Sequence, residues 1–290
     1  MKGEFEVKYY HVDVFSAETM NGNGLTVVFP KRELETKTLL KITQEFKQFE
    51  TVFIFPPNDD GSFNVRIFTI EEELAFAGHP ILGAGAVLHS LIDHTASKMN
   101  LRFLLPEKAV TVQSESASNH YLVTMDQGLP QFVRSVPEQY YDGIASSLNL
   151  HPTQLDDRFP IEVVSTGLPY LLVPVRNGIG EVKIRHREFH RFLGAFGAKF
   201  AYVFETDTLE CRTWDNSGIN EDVATGSAAG PLCAYLIRNG FAEPNEVIAI
   251  SQGRFLNRPS VIRGWVEDNG HVFIQGDVAF FGKGEILVSV

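Results

Sequence analysis

The chain has little cysteine, an excess of acidic over basic residues and no long apolar run. Cys211 and Cys233 are its two cysteines among 290 residues, too few for a disulfide framework, and they favour a reducing cytoplasm. The net charge of −11 excludes nucleic acid and anionic membrane surfaces as expected partners, because both need a basic patch. The apolar run at 81–88 is too short to span a bilayer, and no signal-peptide pattern opens the chain.

The rest of the composition is that of a globular protein with a large aromatic core. Hydrophobic residues make up 44% of the chain, and 23 residues are phenylalanine. Strand-like segments outnumber helical ones, and the same rhythm of elements runs on both sides of a turn-rich junction at 127–130. We therefore predict an α+β fold that is built twice, with one domain at 1–127 and a second at 128–290.

Two short segments share one design and indicate an internal duplication. Each has a strand-like Arg-x-aromatic pattern followed by the start of a small-residue helix. The start of a helix presents unpaired N–H groups and about half a positive charge, so two such starts facing across a cleft would receive a small carboxylate. The segments are Arg66-Ile67-Phe68 before 77–80 and Arg212-Thr213-Trp214 before 221–230.

The two small-residue helices contain unusual residues. The first is predicted from Pro80 to about Ile92, with Pro80 at its first position, and it is apolar on nearly every side, as in a buried helix. Gly83 and Gly85 each cost about 1 kcal/mol relative to alanine, a cost that makes sense if strands approach closely. In the second helix Pro231 indicates either an irregular first turn or a later start.

Four side chains are candidates for chemistry. His79 lies at a helix start, where it is either a structural residue or a ligand contact. Asp222 and Ser227, beside the second helix start, each either cap that helix or contact a substrate. Glu50 heads an apolar strand; it is either solvated or, in an apolar setting, suited to carry protons near neutral pH.

The sequence predicts no metal and no cofactor. His186 and His190 have a spacing that is compatible with a metal on a helix, but no third ligand accompanies them. The glycines at 22–24 and 226–230 fit neither a dinucleotide fingerprint nor a phosphate-binding loop.

Taken together, these motifs resemble the PhzF family, the phenazine-biosynthesis isomerase-like proteins, which share the diaminopimelate epimerase fold. The resemblance covers nearly the whole chain. It implies two similar domains, each a curled, mostly antiparallel sheet around a central helix, with the active site between them, and a homodimer; the last strand has the option of returning to the first domain. The matching segments are Asp13-Val14-Phe15, Gly22-Asn23, Glu50-Thr51, Phe76-Ala77-Gly78-His79-Pro80, Ser165-Thr166-Gly167-Leu168-Pro169, Gly218-Ile219-Asn220-Glu221-Asp222, Ala224-Thr225-Gly226-Ser227-Ala228, Gln252-Gly253 and Arg258-Pro259-Ser260.

The resemblance also implies a function. The phenazine enzyme moves a proton within dihydro-3-hydroxyanthranilate without cofactor or metal. Carried over by motif, Glu50 is the acid/base, while His79 and Asp222 orient or polarise the substrate. The expected partner is therefore a small-molecule carboxylate, bound by Gly78, Thr225, Gly226 and Ser227.

Several features set limits on this interpretation. Phe49 stands where the family commonly has a small polar residue, and Val223 stands where proline is common. No cysteine lies at either helix start, so a racemase with two thiols is not expected. Two alternatives stay open: a non-catalytic ligand-binding or interaction protein, and a racemase that pairs His79 or Asp222 with Glu50.

Overall fold

In the computed structural model, which describes residues 4–289, the chain folds as two compact units. The first contains the chain through Asp126 together with the chain from Gln275 onward, and the second is Gln127–Ile274. The last strand therefore leaves the second unit and ends in the first. None of the helices in this described part is long and apolar enough to cross a membrane.

The first unit is a closed ring of strands around one helix. The strand order is β1-β2-β3-β4-β6-β7-β8-β16, β16 pairs back to β1, and the short β5 adds to β4. The pairs β2–β3 and β4–β6 are parallel. Its elements are β1 Glu4–Val14, β2 Asn23–Phe29, α1 Thr36–Phe46, β3 Glu50–Pro57, β4 Phe63–Phe68, β5 Glu73–Leu74, α2 Gly78–Ile92, β6 Lys98–Leu104, β7 Ala109–Ser116, β8 Tyr121–Gly128 and β16 Val272–Ser289.

Helix α2 is the buried helix that the sequence predicts. Residues 78–89 are all buried, because strands of the ring surround them. A Cβ on Gly83 would lie 2.3 Å from Cδ2 of Leu25, and one on Gly85 would lie 3.0 Å from Cγ2 of Val112. The predicted close approach of strands to both glycines is therefore confirmed.

The predicted start of α2 is wrong by two residues. The helix begins at Gly78, so Pro80 occupies the third position instead of the first. Proline is tolerated there because the N–H groups of the first turn have no partner within the helix. His79 is consequently the second residue of the helix.

The second unit repeats this arrangement with an open sheet. Its strand order is β9-β10-β11-β12-β13-β14-β15. Short 3-10 helices lie at Glu138–Tyr140, Pro152–Gln154, Ile179–Glu181 and Arg254–Leu256. Its main elements are β9 Gln131–Ser135, α3 Tyr141–Ser147, β10 Glu162–Ser165, β11 Pro169–Val175, α4 Phe189–Gly194, β12 Phe200–Glu205, β13 Glu210–Arg212, α5 Gly226–Arg238, β14 Ile248–Gln252 and β15 Ser260–Val266.

The pairing of the strands shows that the two units have the same topology. The parallel pairs β11–β12 and β13–β14 correspond to β2–β3 and β4–β6, and α5 follows β13 as α2 follows β4 and the short β5. The predicted α+β fold, with a curled sheet around a buried helix, is confirmed.

Helix α5 resolves the question raised by Pro231. The helix starts at Gly226 and continues through Pro231 to Arg238, so a later start is wrong. Residues 226–236 are buried. Because proline lacks an N–H, the carbonyl of Ser227 has no helical hydrogen bond from the residue four positions on.

The duplicated arginines turn out to be structural. Arg212 forms two hydrogen bonds of 2.7 Å with Glu221, and its guanidinium carbon lies 4.5 Å from the ring centroids of both Trp214 and Phe255. Arg66 pairs with Glu73 in the same bidentate manner. Each pair ties the end of a strand to the segment that leads into the buried helix of its unit.

Candidate active site

Glu50 is the first residue of β3 and has a buried carboxylate, 7% exposed. Helix α1 ends just before it, with Lys47 in the left-handed conformation at φ 54°. The chain then enters β3, in which residues 51–55 are buried. The register of the parallel pair places Glu50 beside Leu25 of β2. The sequence option of a solvated Glu50 is therefore wrong.

The imidazole of His79 lies against this carboxyl group. Its Nδ1 is 3.4 Å from Oε2 of Glu50 and 3.4 Å from Nδ2 of Asn23. Burial lowers the pKa of His79 to about 3, because the charged ring would lose its hydration. His79 is therefore neutral at physiological pH, although a carboxyl group lies beside it.

A neutral imidazole has one donor and one acceptor nitrogen. Nδ1 faces the polar groups of Glu50 and Asn23, whereas Nε2 is buried and has no hydrogen-bond partner among the described residues. A buried, unsatisfied ring nitrogen costs free energy unless a ligand completes it. His79 thus has one nitrogen engaged with Glu50 and Asn23 and one nitrogen that a ligand can engage.

The start of α2 adds a positive potential to this region. Its N-cap residue, Ala77, is extended and provides no side-chain cap, and the first turn contains no acidic residue. A buried helix start without a side-chain acceptor favours an anion. The N–H groups near Gly78 can therefore hold a carboxylate.

Asp222 belongs to a hydrogen-bonded turn in the second unit. Its Oδ2 accepts a hydrogen bond of 2.5 Å from Oγ1 of Thr225. Gln252 donates to the carbonyl of Asp222 at 2.9 Å and to Oγ1 of Thr225 at 3.0 Å. Thr225 is the N-cap residue of α5 and makes no side-chain cap. Asp222 is thus not the N-cap residue: it lies three residues before Thr225, whose hydroxyl group its carboxylate bonds.

Ser227 is the second residue of α5, so it is not a helix cap either. Its hydroxyl group lies 2.8 Å from the hydroxyl group of Tyr170. The carbonyl of Gly226 accepts a hydrogen bond of 2.9 Å from the side chain of Gln127. Both helix positions are buried.

The predicted site residues thus form two groups, one in each unit. The first has Glu50 and His79 in contact, with Gly78 as the neighbour of His79. The second has Asp222 in contact with Thr225, followed by Gly226 and Ser227. That the two helix starts face one another stays a prediction.

Sequence reasoning missed three polar neighbours of these groups. The sequence pattern places Asn23 in a turn, yet it begins β2 and contacts His79. Gln252 belonged to a matching motif without a role. Tyr170 carried no sequence signal, because its contact with Ser227 spans 57 positions.

Neither cysteine is suited to act as a base. Both are buried, and burial raises the pKa of the Cys233 thiol to about 12 and also raises that of Cys211. Within residues 4–289, no group of three or more histidine, cysteine, aspartate or glutamate side chains could hold a metal ion.

Comparisons with known proteins show similarity over nearly the whole chain. The chain is 31% identical to the trans-2,3-dihydro-3-hydroxyanthranilate isomerase of Pseudomonas chlororaphis over 97% of this chain and 99% of that protein. The structure of a predicted epimerase from Pseudomonas aeruginosa matches with a TM-score of 0.92 and 40% identity, covering 97% of this chain and 99% of that one. A PhzF-family phenazine biosynthesis protein from Bacillus anthracis shares the fold, with a TM-score of 0.81 at 20% identity over 98% of this chain and 100% of that one.

The family comparison covers nearly the whole sequence. The model of the PhzC-PhzF family, described as phenazine biosynthesis-like protein, matches residues 12–284. The chain therefore belongs to the PhzC-PhzF family of phenazine biosynthesis-like proteins and is an isomerase.

Proposed function

We propose that the protein moves a proton within a small carboxylic acid, with Glu50 as the one acid/base and with no cofactor. The observation that carries this proposal is the buried contact between Oε2 of Glu50 and Nδ1 of His79. For this carboxyl group to reach a proton of the substrate, the substrate has to bind beside Glu50 and His79. The unsatisfied Nε2 of His79 supports such a ligand site.

The neutrality of His79 supports the choice of Glu50 as the proton carrier. A ring whose pKa is lowered to about 3 does not hold a proton at neutral pH. A proton taken from the substrate therefore stays on the carboxyl group until it is returned. In the neutral ring, Nδ1 contacts the carboxyl group of Glu50, and Nε2 is the nitrogen that a group of the substrate engages.

The internal duplication supports one base over two. Phe53 pairs with Arg66 in the first unit, as Val203 pairs with Arg212 in the second. Glu50 stands three positions before Phe53 on its strand, and Phe200 stands three positions before Val203, so Phe200 is the equivalent of Glu50. The starts of α2 and α5 likewise make Ser227 the equivalent of His79. The second unit thus has no titratable group at the position equivalent to Glu50.

We further propose that the substrate carboxylate is held at the helix starts. Gly78 and Gly226 contribute N–H groups, and the side chains of Asp222, Thr225 and Ser227 contact the substrate. The relative from Pseudomonas chlororaphis is named for trans-2,3-dihydro-3-hydroxyanthranilate, which is accordingly the first compound to test. Phe49, 37% exposed beside Glu50, provides an aromatic surface. That surface would select a substrate whose side group differs from that of this compound.

The test is a reaction in deuterated water, followed by NMR. The purified protein is incubated with trans-2,3-dihydro-3-hydroxyanthranilate and with a panel of small unsaturated carboxylic acids. The proposal predicts double-bond movement in one of these compounds, with solvent deuterium in the product at one carbon or with internal return of the proton. If none of the acids that bind is altered, proton transfer is the wrong reaction.

A second candidate, epimerisation, is favoured by one observation. The protein described as a predicted epimerase is 40% identical to this chain. Epimerisation needs a second base opposite Glu50, for which Asp222 is the remaining titratable candidate. Inversion of one stereocentre with deuterium at that centre, and with no double-bond movement, would favour this candidate.

A further inference from the structure

The side-chain amide of Gln252 has one possible orientation. Gln252 ends β14 and is 1% exposed. Its Oε1 accepts from the backbone N–H of Thr225 at 3.1 Å, and its Nε2 donates to the backbone carbonyl of Asp222 at 2.9 Å. A backbone N–H can only donate and a carbonyl can only accept, so the oxygen and nitrogen of this amide cannot be exchanged.

This orientation fixes the direction of the next hydrogen bond. Nε2 of Gln252 also donates to Oγ1 of Thr225 at 3.0 Å, so the hydroxyl proton of Thr225 must point to another acceptor. Within the described residues, that acceptor is Oδ2 of Asp222, 2.5 Å away. Such a short O–H···O distance is typical of a hydroxyl group that donates to a carboxylate.

We infer that Gln252 is a positioning residue that acts through Thr225 to hold Asp222 as a hydrogen-bond acceptor. The chain of donors runs from the amide of Gln252 to the hydroxyl of Thr225 and on to Oδ2 of Asp222. A hydrogen bond that is donated to a carboxyl oxygen stabilises the ionised form more than the neutral form. The network therefore favours the ionised carboxylate.

The titratable groups beside this network in the second unit include Tyr202 and Glu221. The hydroxyl group of Tyr202, on β12, donates to Oε1 of Gln252 at 3.0 Å, and burial keeps its pKa well above the usual value. Glu221, the residue before Asp222, is committed to Arg212 of β13 through two hydrogen bonds. The neighbouring phenol is thus neutral, and the neighbouring ion pair carries no net charge.

The consequence for catalysis rests on the proposed function: Asp222 receives a hydrogen bond from the substrate and does not supply a proton. The direction of the hydrogen bonds from Gln252 through Thr225 to Asp222, by contrast, is a property of the protein without substrate. A titration of Asp222 therefore tests the inference separately from the reaction.

The experiment measures the titration of the Asp222 carboxyl carbon by NMR in protein labelled with 13C-aspartate, with the signal assigned from Asp222→Asn. The variant Thr225→Val removes the donated hydroxyl, and Gln252→Glu replaces the donor Nε2 by an acceptor that draws the hydroxyl away. Each change should move the midpoint of the Asp222 titration upward by about one pH unit.

The double variant separates a relay through Thr225 from simple charge repulsion. If Gln252 acts through Thr225, then Gln252→Glu should shift the midpoint much less in the Thr225→Val background than in the wild type. Equal shifts in the two backgrounds would overturn the inference, because they would mean that the new carboxylate acts on Asp222 directly.

Two control variants guard against an effect of altered folding. Thr225→Ser keeps the hydroxyl and should leave the midpoint within a few tenths of a unit. Gln127→Glu alters a second buried amide at the first turn of α5, which bonds the carbonyl of Gly226 and Oγ1 of Thr166, and should shift the midpoint far less. An equal shift from Gln127→Glu would also overturn the inference.

Discussion

The carboxyl group of Glu50 and the imidazole of His79 are in contact at 3.4 Å, and their side chains are 7% and 5% exposed. A charged ring in this position would form a buried ion pair with the carboxylate, at a large cost in hydration. Burial instead lowers the pKa of the ring to about 3, so the ring is uncharged at neutral pH. The contact is therefore one between the carboxyl group and a neutral ring, and not a buried ion pair.

The buried, neutral ring makes stability depend on pH in a defined direction. The unfolded chain binds a proton at His79 below about pH 6.5, whereas the folded protein does not until about pH 3. The contribution of the neutral ring to the free energy of unfolding is therefore fully present above about pH 6.5, and it is lost as the pH falls toward 3. At pH 5 the loss from this residue should be about 2 kcal/mol.

Urea unfolding of the wild type and of His79→Gln at pH 7.5 and pH 5 measures this loss. Between pH 7.5 and pH 5, the unfolding free energy of the wild type should fall by more than that of His79→Gln. A difference that is the same at both values would contradict a buried, neutral His79.

Replacing Gly83 by alanine should destabilise the first unit despite the better helix propensity of alanine. The added methyl group would meet Leu25 at 2.3 Å, and overpacking of this kind costs about 1–3 kcal/mol. The matched change is Gly143→Ala in α3, where nothing lies within 4 Å of the added carbon. That variant should gain up to about 1 kcal/mol, and thermal unfolding of both variants compares the two sites.

The two duplicated ion pairs should differ in their contribution to stability. Glu221→Gln leaves the guanidinium group of Arg212 buried, 8% exposed, without its counter-charge, which costs about 3–5 kcal/mol. Glu73→Gln affects a pair that is 26% exposed on both sides and should cost below about 1 kcal/mol. Equal losses of unfolding free energy in the two variants would contradict the expectation that the more buried pair contributes more to stability.

The cysteines should be inert in the folded protein. Because burial raises the pKa of Cys233 to about 12 and raises that of Cys211, iodoacetamide at pH 8 should label neither thiol, and turnover should persist after treatment. Mass spectrometry with and without urea provides the comparison. Labelling of the native protein together with loss of turnover would support thiol chemistry instead.

The sequence predicts the parts of the fold that local patterns encode. The two buried helices, the repeated Arg-x-aromatic strands and the close contacts at Gly83 and Gly85 follow from periodicity and from the conformational cost of glycine. The sequence predicts the start of α2 at Pro80, because proline favours the first position of a helix. In the structure the N–H groups of the whole first turn lack helical partners, so the third position tolerates proline as well.

Contacts between distant segments lie beyond such patterns. The neighbour of His79 is Asn23, 56 positions earlier, and Gln252 bonds Thr225 across 27 positions. Both come from strands whose register is set by the whole sheet. The chemical types at Glu50, His79 and Asp222 were visible in the sequence, but the direction of the hydrogen bonds at Asp222 was not.

The most direct test of the account is the turnover of Glu50→Gln with the acid that the wild type isomerises. Glutamine keeps the shape and polarity of the side chain but cannot carry the proton, so kcat should fall about 10²–10⁴-fold, with ligand affinity and unfolding temperature close to those of the wild type. Turnover within threefold of the wild type would contradict the central claim, because the proton would then travel on another group.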